Sequence, residues 1–577
     1  MPSSSTSGGP NLSDLPYDLR IGVTGHREIV DAAGIRQSVK QLLDHLDRTL
    51  QPQSRTPLKW TVVSPIAKGA DRIVAEAVLG CCPATLEVLS PFELDEYRLD
   101  FEDGEDRDEF ERLLNRARHV ECLANGDAPD ATENDEVREH WRNRGYLRVG
   151  RAVVDSCEIL LAVWNGRDGQ GVGGTADIVG YALRQQRTVV WIHADEPSRA
   201  PCLITAWQPG SEPQTRALPA TAKRLSPGYH QLDAYNRDDR VAPDRLKESI
   251  SEASRMLREQ AQAARISDAS IAPIIETLVP HYARADLLAV HYRDRYVRAT
   301  NGLFLLSAIA VTVVVGQILF VPDLLWLILF EILAMGMAVG LWTWSIRAAW
   351  HEKWIHDRYL TERLRMAMFG LLLNQPQAAM SSAPSKTLAF YSGPSHWLLS
   401  TVGHLVAQAD AATTSVADVA AVKRFLISAW LDDQRKYHAR NSRKKHDAAH
   451  RGHRVGILLF LVTVVMATLH MAGVGHGDGA HHSGGSIPWD AVITFLAIVL
   501  PVWGAAMHAI ITQLELDRIA ARSKRMAVVL GALVDQAEEA DTLDELRQVV
   551  LEGQRVMGTE NHEWWILLSF REPVLPA

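Results

Sequence analysis

The spacing of apolar residues changes character near residue 290. Before that point they come in short runs: LRIGVTG (19–25), WTVVSP (60–65), TLEVLSP (85–91), EILLAVWNG (158–166) and TVVWIHAD (188–195), with HVECL (119–123) as a candidate fourth strand between the third and the last two. Between several of them the period lengthens to that of an amphipathic helix, at Ile35 to Leu50, Asp71 to Leu79 and DIVGYALRQQ (177–186). Short, fully apolar strands alternating with helices predict an α/β Rossmann-like parallel sheet domain over residues 17–195. After residue 300 the pattern is different. Four unbroken apolar runs occupy Asn301 to Val321, Leu324 to Trp344, Val455 to Val474 and Ala491 to Ile511. Each reaches the roughly 20 residues a helix needs to cross about 30 Å of hydrocarbon, and a helix closes its backbone hydrogen bonds internally, as lipid demands. They predict an all-α membrane region with four transmembrane helices in two hairpins.

Lysine and arginine placement predicts the orientation. The hairpin loops, Pro322–Asp323 and 475–490, contain neither residue. The other flanks are basic: Arg293, Arg295 and Arg298 before the first span, Arg347 and Lys353 after the second, eight Lys/Arg between Arg435 and Arg454, and Arg518, Arg522, Lys524 and Arg525 after the fourth. By the positive-inside rule both termini are cytoplasmic. Trp326, Trp342, Trp344, Trp350 and Trp354 gather at the ends of the second span, as interface aromatics do. Each hairpin is preceded by a basic helical stretch and followed by a charged one, a plan used twice that suggests an internal duplication. Glu331 falls within the second run as an intramembrane polar residue, where a charge calls for a partner or water. Pro501 is expected to kink the fourth span. The outer loop holds His476, His481 and His482 among glycines and serines, which gives them no fixed metal geometry.

Composition sharpens this division. The net charge of the 577-residue chain is -9, which excludes a whole-chain nucleic-acid binder. The mean hydropathy of -0.07 is an average over an acidic soluble part and an apolar one. Residues 92–139 carry 18 acidic and six basic side chains, read as a solvated helical insertion without metal-loop spacing. The cysteines Cys81, Cys82, Cys122, Cys157 and Cys202 show no Cys-x-x-Cys spacing, so neither a disulfide framework nor a zinc site is expected. The sequence divides as a leader expected to be disordered (1–16), the α/β domain (17–195), a linker and helical connector (196–285), a first two-span unit with its cytoplasmic helix (286–374), a cytoplasmic connector (375–430) and a second two-span unit with cytoplasmic helices (431–577).

Three loops at predicted strand ends carry chemistry. The first is Gly22-Val-Thr24-Gly25-His26-Arg27, in which Gly25 permits a sharp turn and Thr24, His26 and Arg27 are phosphate donors. The second, Ser64 to Arg72, opens a helix and includes Lys68, Gly69, Ala70, Asp71 and Arg72; helix N-terminal amides attract anions, and Lys68 adds charge. The third runs from Asn165 through Gly173, Gly174 and Thr175 to Asp177, whose carboxylate is suited to a ribose hydroxyl or to acid/base work. None is a Walker A loop or a dinucleotide Gly-x-Gly-x-x-Gly fingerprint. Together they predict a nucleotide or phosphosugar pocket, with no metal and no cofactor beyond that ligand.

GVTGHR, the KGADR loop and GGTAD together resemble the SLOG superfamily over residues 17–195, a group that includes the lonely-guy cytokinin-activating hydrolases, DprA-like proteins and sensing domains of bacterial antiphage systems. The membrane part resembles the SLATT family, two spans plus a long cytoplasmic helix, with DRYLTERLR (357–365) the segment most alike. The hydrolase members carry Pro-Gly-Gly-x-Gly-Thr-x-x-Glu. Here the loop reads Gly-Val-Gly173-Gly174-Thr175-Ala-Asp177, without the proline and with the acid one residue closer to the threonine. That leaves ligand binding as the expectation and Asp177 as the candidate catalytic residue. The resemblance implies a homo-oligomeric effector of the bacterial inner membrane, whose nucleotide-sensing domain controls pore-forming or membrane-disrupting helices in antiphage defence. Two other readings stay open: a membrane-tethered nucleotide or phosphoribosyl hydrolase, and a channel or scaffold with a degenerate Rossmann-like domain.

Overall fold

A computed structural model of the chain describes residues 13–50, 55–124, 135–169, 173–373, 396–410, 416, 418–474 and 489–569. The leader up to residue 12, the 375–390 loop and the outer-loop histidines His476, His481 and His482 lie outside the described residues; the end of the leader is ordered, with Leu15 buried and its amide and carbonyl bonded to the Asn236 side chain at 3.1 and 2.9 Å. The described residues divide into two compact units: 13–238 with 396–401, and 239–373 with 402–569.

The first unit is built on an eight-stranded sheet: β1 (Tyr17–Gly25), β2 (Leu58–Ser64), β3 (Ala84–Ser90), β4 (Ala117–Cys122), β5 (Ile159–Trp164), β6 (Thr188–His193), β7 (Cys202–Ala206) and β8 (Gln214–Ala217). Their order is β4-β3-β2-β1-β5-β6-β7-β8. The first six are parallel and coincide with the six predicted runs. β5 is buried at all six positions, as a central parallel strand covered on both faces must be. β7 and β8 extend the edge antiparallel. They fall in the stretch read as linker, because β8 is exposed throughout and offers no apolar alternation.

Helices α1 (Ala32–Leu50) and α2 (Ala70–Cys81) pack together, as do α5 (Asp135–Ser156) and α6 (Thr175–Arg184). α1 buries Ile35, Val39, Leu42, Leu43, Leu46 and Leu50, one helical stripe. Between β3 and β4 lie α3 (Leu94–Arg98) and α4 (Glu105–Leu114), and this part of the acidic insertion packs around an aromatic core of Phe92, Tyr97, Phe101 and Phe110. At the opposite end of the sheet from the loops, Arg20 on β1 donates to both carboxylate oxygens of Glu87 on β3 at 3.1 and 2.5 Å. Tyr17 and Ser226 share Glu158 there.

The second unit is all-helical and contains four helices long and apolar enough to cross a membrane. The first hairpin comprises α7 (Val279–Phe320), α8 (Ile328–Arg347) and α9 (Trp350–Leu371). The second comprises α10 (Asp432–Met471), α11 (Trp489–Gln513) and α12 (Leu516–Glu539), followed by α13 (Leu543–Ser569). Both returning spans break two residues before the next helix starts. The residue at the break is left-handed each time: Ala349 at φ 51°, ψ 38° and Glu515 at φ 51°, ψ 36°. A non-glycine residue in this conformation is uncommon. It recurs at equivalent places in the two hairpins, between the returning span and the helix that follows it. Trp503 donates to Thr312 Oγ1 at 3.1 Å and so links the first and fourth spans. The helix runs unbroken through Pro501. Glu331 lies in the first turn of α8 rather than in mid-span, because the helix begins only after the short turn at Leu325–Leu327. An acid there faces the positive end of the helix dipole.

Candidate functional site

The strand sequence runs outward in both directions from β1, with β2 on one side and β5 on the other. In open α/β sheets the ligand crevice lies at the carboxyl ends of the strands where the order reverses. All three loops singled out in the sequence emerge there.

The β1 loop is the centrepiece. A Cβ on Gly25 would sit 2.4 Å from Ala70 Cβ and 2.7 Å from the Val163 carbonyl oxygen, so only glycine lets β1 end flush against both neighbouring loops. His26 ties the three together. Its amide donates to Val163 O at 3.1 Å, and its carbonyl accepts from Ala70 N–H at 3.0 Å. Its ring Nε2 accepts from Asn165 N–H at 3.1 Å, which leaves Nδ1 as the protonated nitrogen of the neutral ring. Gly69 has φ +88°, and a Cβ there would lie 2.2 Å from the Arg27 carbonyl oxygen. Buried Ile66, two residues past β2, is held at φ +50°, with its amide donating to Ser64 Oγ at 3.0 Å. A β-branched residue in this region is strained by about 1–3 kcal/mol.

The two acids of the motifs are spent on the loops themselves. Asp71 Oδ2 accepts from Ala67 N–H at 3.4 Å. Burial pushes its carboxyl up to about 7, against the opposing pull of that amide and of Arg27 and Arg72. Asp177 Oδ2 accepts from Gly173 N–H at 2.9 Å, where Gly173 has φ +86°. Asp177 therefore closes the third loop onto the first turn of α6. Among the described residues no side chain caps either α2 or α6; in α2 the Ala70 amide is taken by the His26 carbonyl, so the uncapped start of α6 is the freer of the two anion-attracting termini.

Two predicted site residues are used elsewhere. Gly22 lies in mid-strand, where a Cβ would meet Cys157 Sγ at 2.6 Å; it is a packing position. Arg72 is 1% exposed. It donates to Ile66 O at 3.1 Å and pairs with Asp106 at 2.7 Å and Glu109 at 3.0 Å. Its guanidinium lies 4.7 Å from the Phe101 ring centroid. It anchors the acidic insertion. Thr24, Gly25, His26, Arg27, Lys68, Gly69, Ala70, Gly173, Gly174 and Thr175 remain at the loop crest, with Arg27 and Lys68 exposed.

A fourth wall went unread in the sequence. The Arg27 guanidinium lies 5.0 Å from the Tyr146 ring centroid, and the Tyr146 hydroxyl donates to Asp100. The neighbouring Leu147 amide nitrogen lies 2.9 Å from where a Gly173 Cβ would stand. α5 thus joins the first and third loops. Its only signal is the interleaving of aromatic and basic residues in WRNRGYLR (141–148). Among the described residues no group of three or more His, Cys, Asp and Glu side chains is placed to hold a metal ion. The arrangement offers amides, a histidine and two exposed bases to a phosphate-bearing ligand. Searches of protein-family models, of curated proteins and of solved structures returned no match to this chain.

Proposed function

We propose that this chain is a membrane effector whose α/β domain binds a nucleotide or phosphosugar, and that binding controls the membrane helices. The observation that carries the reading is the convergence of three glycine-bearing loops, tied through His26, where the strand order of the sheet reverses. Four helices of membrane-crossing length in the same chain support the effector half. The resemblance to SLOG and SLATT proteins adds the setting: a homo-oligomer in a bacterial inner membrane, both termini cytoplasmic, forming a pore or disrupting the bilayer in antiphage defence. A ligand moves such an equilibrium only by its differential affinity for the two states.

Calorimetry of the solubilised full chain against a panel of nucleotides and phosphosugars tests the first half. Binding of at least one member, weakened more than tenfold in Arg27→Ala/Lys68→Ala, is expected; silence across the panel overturns the reading. Ion flux from proteoliposomes, raised by the ligand so identified, tests the second half. The hydrolase reading draws less support, because the Asp177 carboxylate is engaged by the Gly173 amide. Turnover of the bound ligand, lost in Asp177→Asn with binding retained, would restore it.

A further inference from the structure

A second charged concavity lies in the helical unit. Five helices, α7, α9, α10, α12 and α13, enclose a cavity of about 390 Å³, within the usual range of small-molecule pockets. It lies outside the apolar runs: its α7 residues, 289 to 297, precede the first span, and Leu514 follows the fourth. Helices of both hairpins contribute walls.

Its charge is unbalanced. Arg293, Arg358, Arg522, Lys444 and Lys445 line it, against Asp294, Glu362 and Glu560. Each arginine is answered by a carboxylate: Arg293 by Asp294 at 2.8 Å, Arg358 by Glu362 and by Asp286 at 3.5 Å, and Arg522 by Glu560 at 3.0 Å. The two lysines are not. Neither Lys444 nor Lys445 has an ion-pair or hydrogen-bond partner among the described residues. Lys445 is half-buried, and its ammonium is pushed down from the usual lysine range by burial and by the like charges of Arg293 and Lys444. On the same helix His438 keeps a buried Nδ1 with no hydrogen-bond partner in the protein. Flexible lysines gathered beside an arginine, at a cost in mutual repulsion, describe a site that an anion completes. Trp354 and Trp564, edge to face at 5.5 Å between centroids, supply an apolar wall beside it.

We propose that this cavity binds a phosphate-bearing anion, with Lys444, Lys445 and Arg293 as its charge partners, at a site separate from the sheet loops. The phosphate comes either from a soluble ester or from the headgroup of an anionic phospholipid. The test is thermal unfolding of the full chain in neutral detergent with inorganic pyrophosphate, and in nanodiscs of phosphatidylcholine with or without phosphatidylglycerol. Stabilisation by pyrophosphate in the wild type and in Lys68→Ala, with affinity reduced roughly tenfold or more in Lys444→Ala/Lys445→Ala, identifies a soluble ligand. Stabilisation only in the phosphatidylglycerol discs, lost in the same double variant, identifies the headgroup. No response in either arm, an undiminished response in the double variant, or a response lost in Lys68→Ala overturns the proposal. Should the double variant fail to fold, Lys445→Gln serves in its place. Its thermal midpoint without phosphate is expected to equal or exceed that of the wild type, because it removes a repelled charge. A lower midpoint together with an intact phosphate response counts against the site.

Discussion

The sheet loops and the helical cavity gather positive potential from opposite materials. At the sheet, two helix N-termini without side-chain caps and glycines at φ +88° and +86° do the shaping, and Arg27, Lys68 and Arg167 bring exposed positive charge. In the helical unit, lysine and arginine side chains converge from helices more than a hundred residues apart in sequence. The difference teaches where each site is fragile. A backbone-built cradle fails when a turn is distorted, and a side-chain-built one fails when a charge is removed.

Arg72 offers the strongest test, because it is a base inside a cradle motif that holds the scaffold and not the ligand. Arg72→Leu strands Asp106, largely buried, opposite an apolar chain and removes the guanidinium from Phe101. Losing one partner of such a pair costs roughly 3–5 kcal/mol, so the α/β unfolding transition should fall steeply in a thermal melt. An unchanged midpoint with weakened ligand binding would move Arg72 into the site and undo the contrast.

Asp71 gives the next effect, and its sign follows from burial. The folded carboxyl titrates near 7 while the unfolded one titrates at the ordinary carboxylate value. Between about pH 4 and 7 the folded form therefore holds the extra proton. Its contribution to stability is largest below that window and declines through it, by roughly 4 kcal/mol for a shift of this size. Thermal midpoints across pH should show a steeper decline in the wild type than in Asp71→Asn, which keeps only the pH dependence of the other shifted carboxyls such as Glu158 and Glu87. A wild type that declines no more steeply than the variant would mean that Asp71 is ionised throughout. Gly69→Ala follows at roughly 2–3 kcal/mol, from a left-handed backbone and a clash with the Arg27 carbonyl. It should abolish ligand binding as well, since the first and second loops can no longer close.

The same contrast explains what could be read in advance. Apolar runs such as ILLAVW (159–164) and the four membrane-length stretches announce themselves, because burial on both faces or in lipid leaves no room for polar residues. Glycines such as Gly25 and Gly69 mark loops because no other residue fits there. Arg72 looked like a ligand residue because its carboxylate partners lie 34 and 37 positions downstream. Gly22 looked like part of a turn because Cys157, which excludes any side chain there, is 135 residues away. The edge strand β8 has no buried face and hence no period. The lysine cavity was invisible for the same reason as Arg72: Arg293 and Lys445 become neighbours only once the two hairpins have packed.

The smallest expected effect separates the two sites most cleanly. Lys68 is exposed on the loop before α2, so Lys68→Ala should leave the thermal midpoint of the α/β domain within about 0.5 kcal/mol of the wild type. Its charge still acts on a phosphate bound at the helix N-terminus. Removing it should weaken phosphate-ligand affinity about tenfold, or about 1.4 kcal/mol, measured by calorimetry at low salt. Because the donors that remain, Arg27 and Arg167 apart, are uncharged, the affinity of the variant should fall less steeply with salt than that of the wild type, which should approach it as ionic strength rises. If Lys68→Ala abolished binding outright, the sheet site would rest on a side chain after all, and it would be built in the same way as the helical cavity.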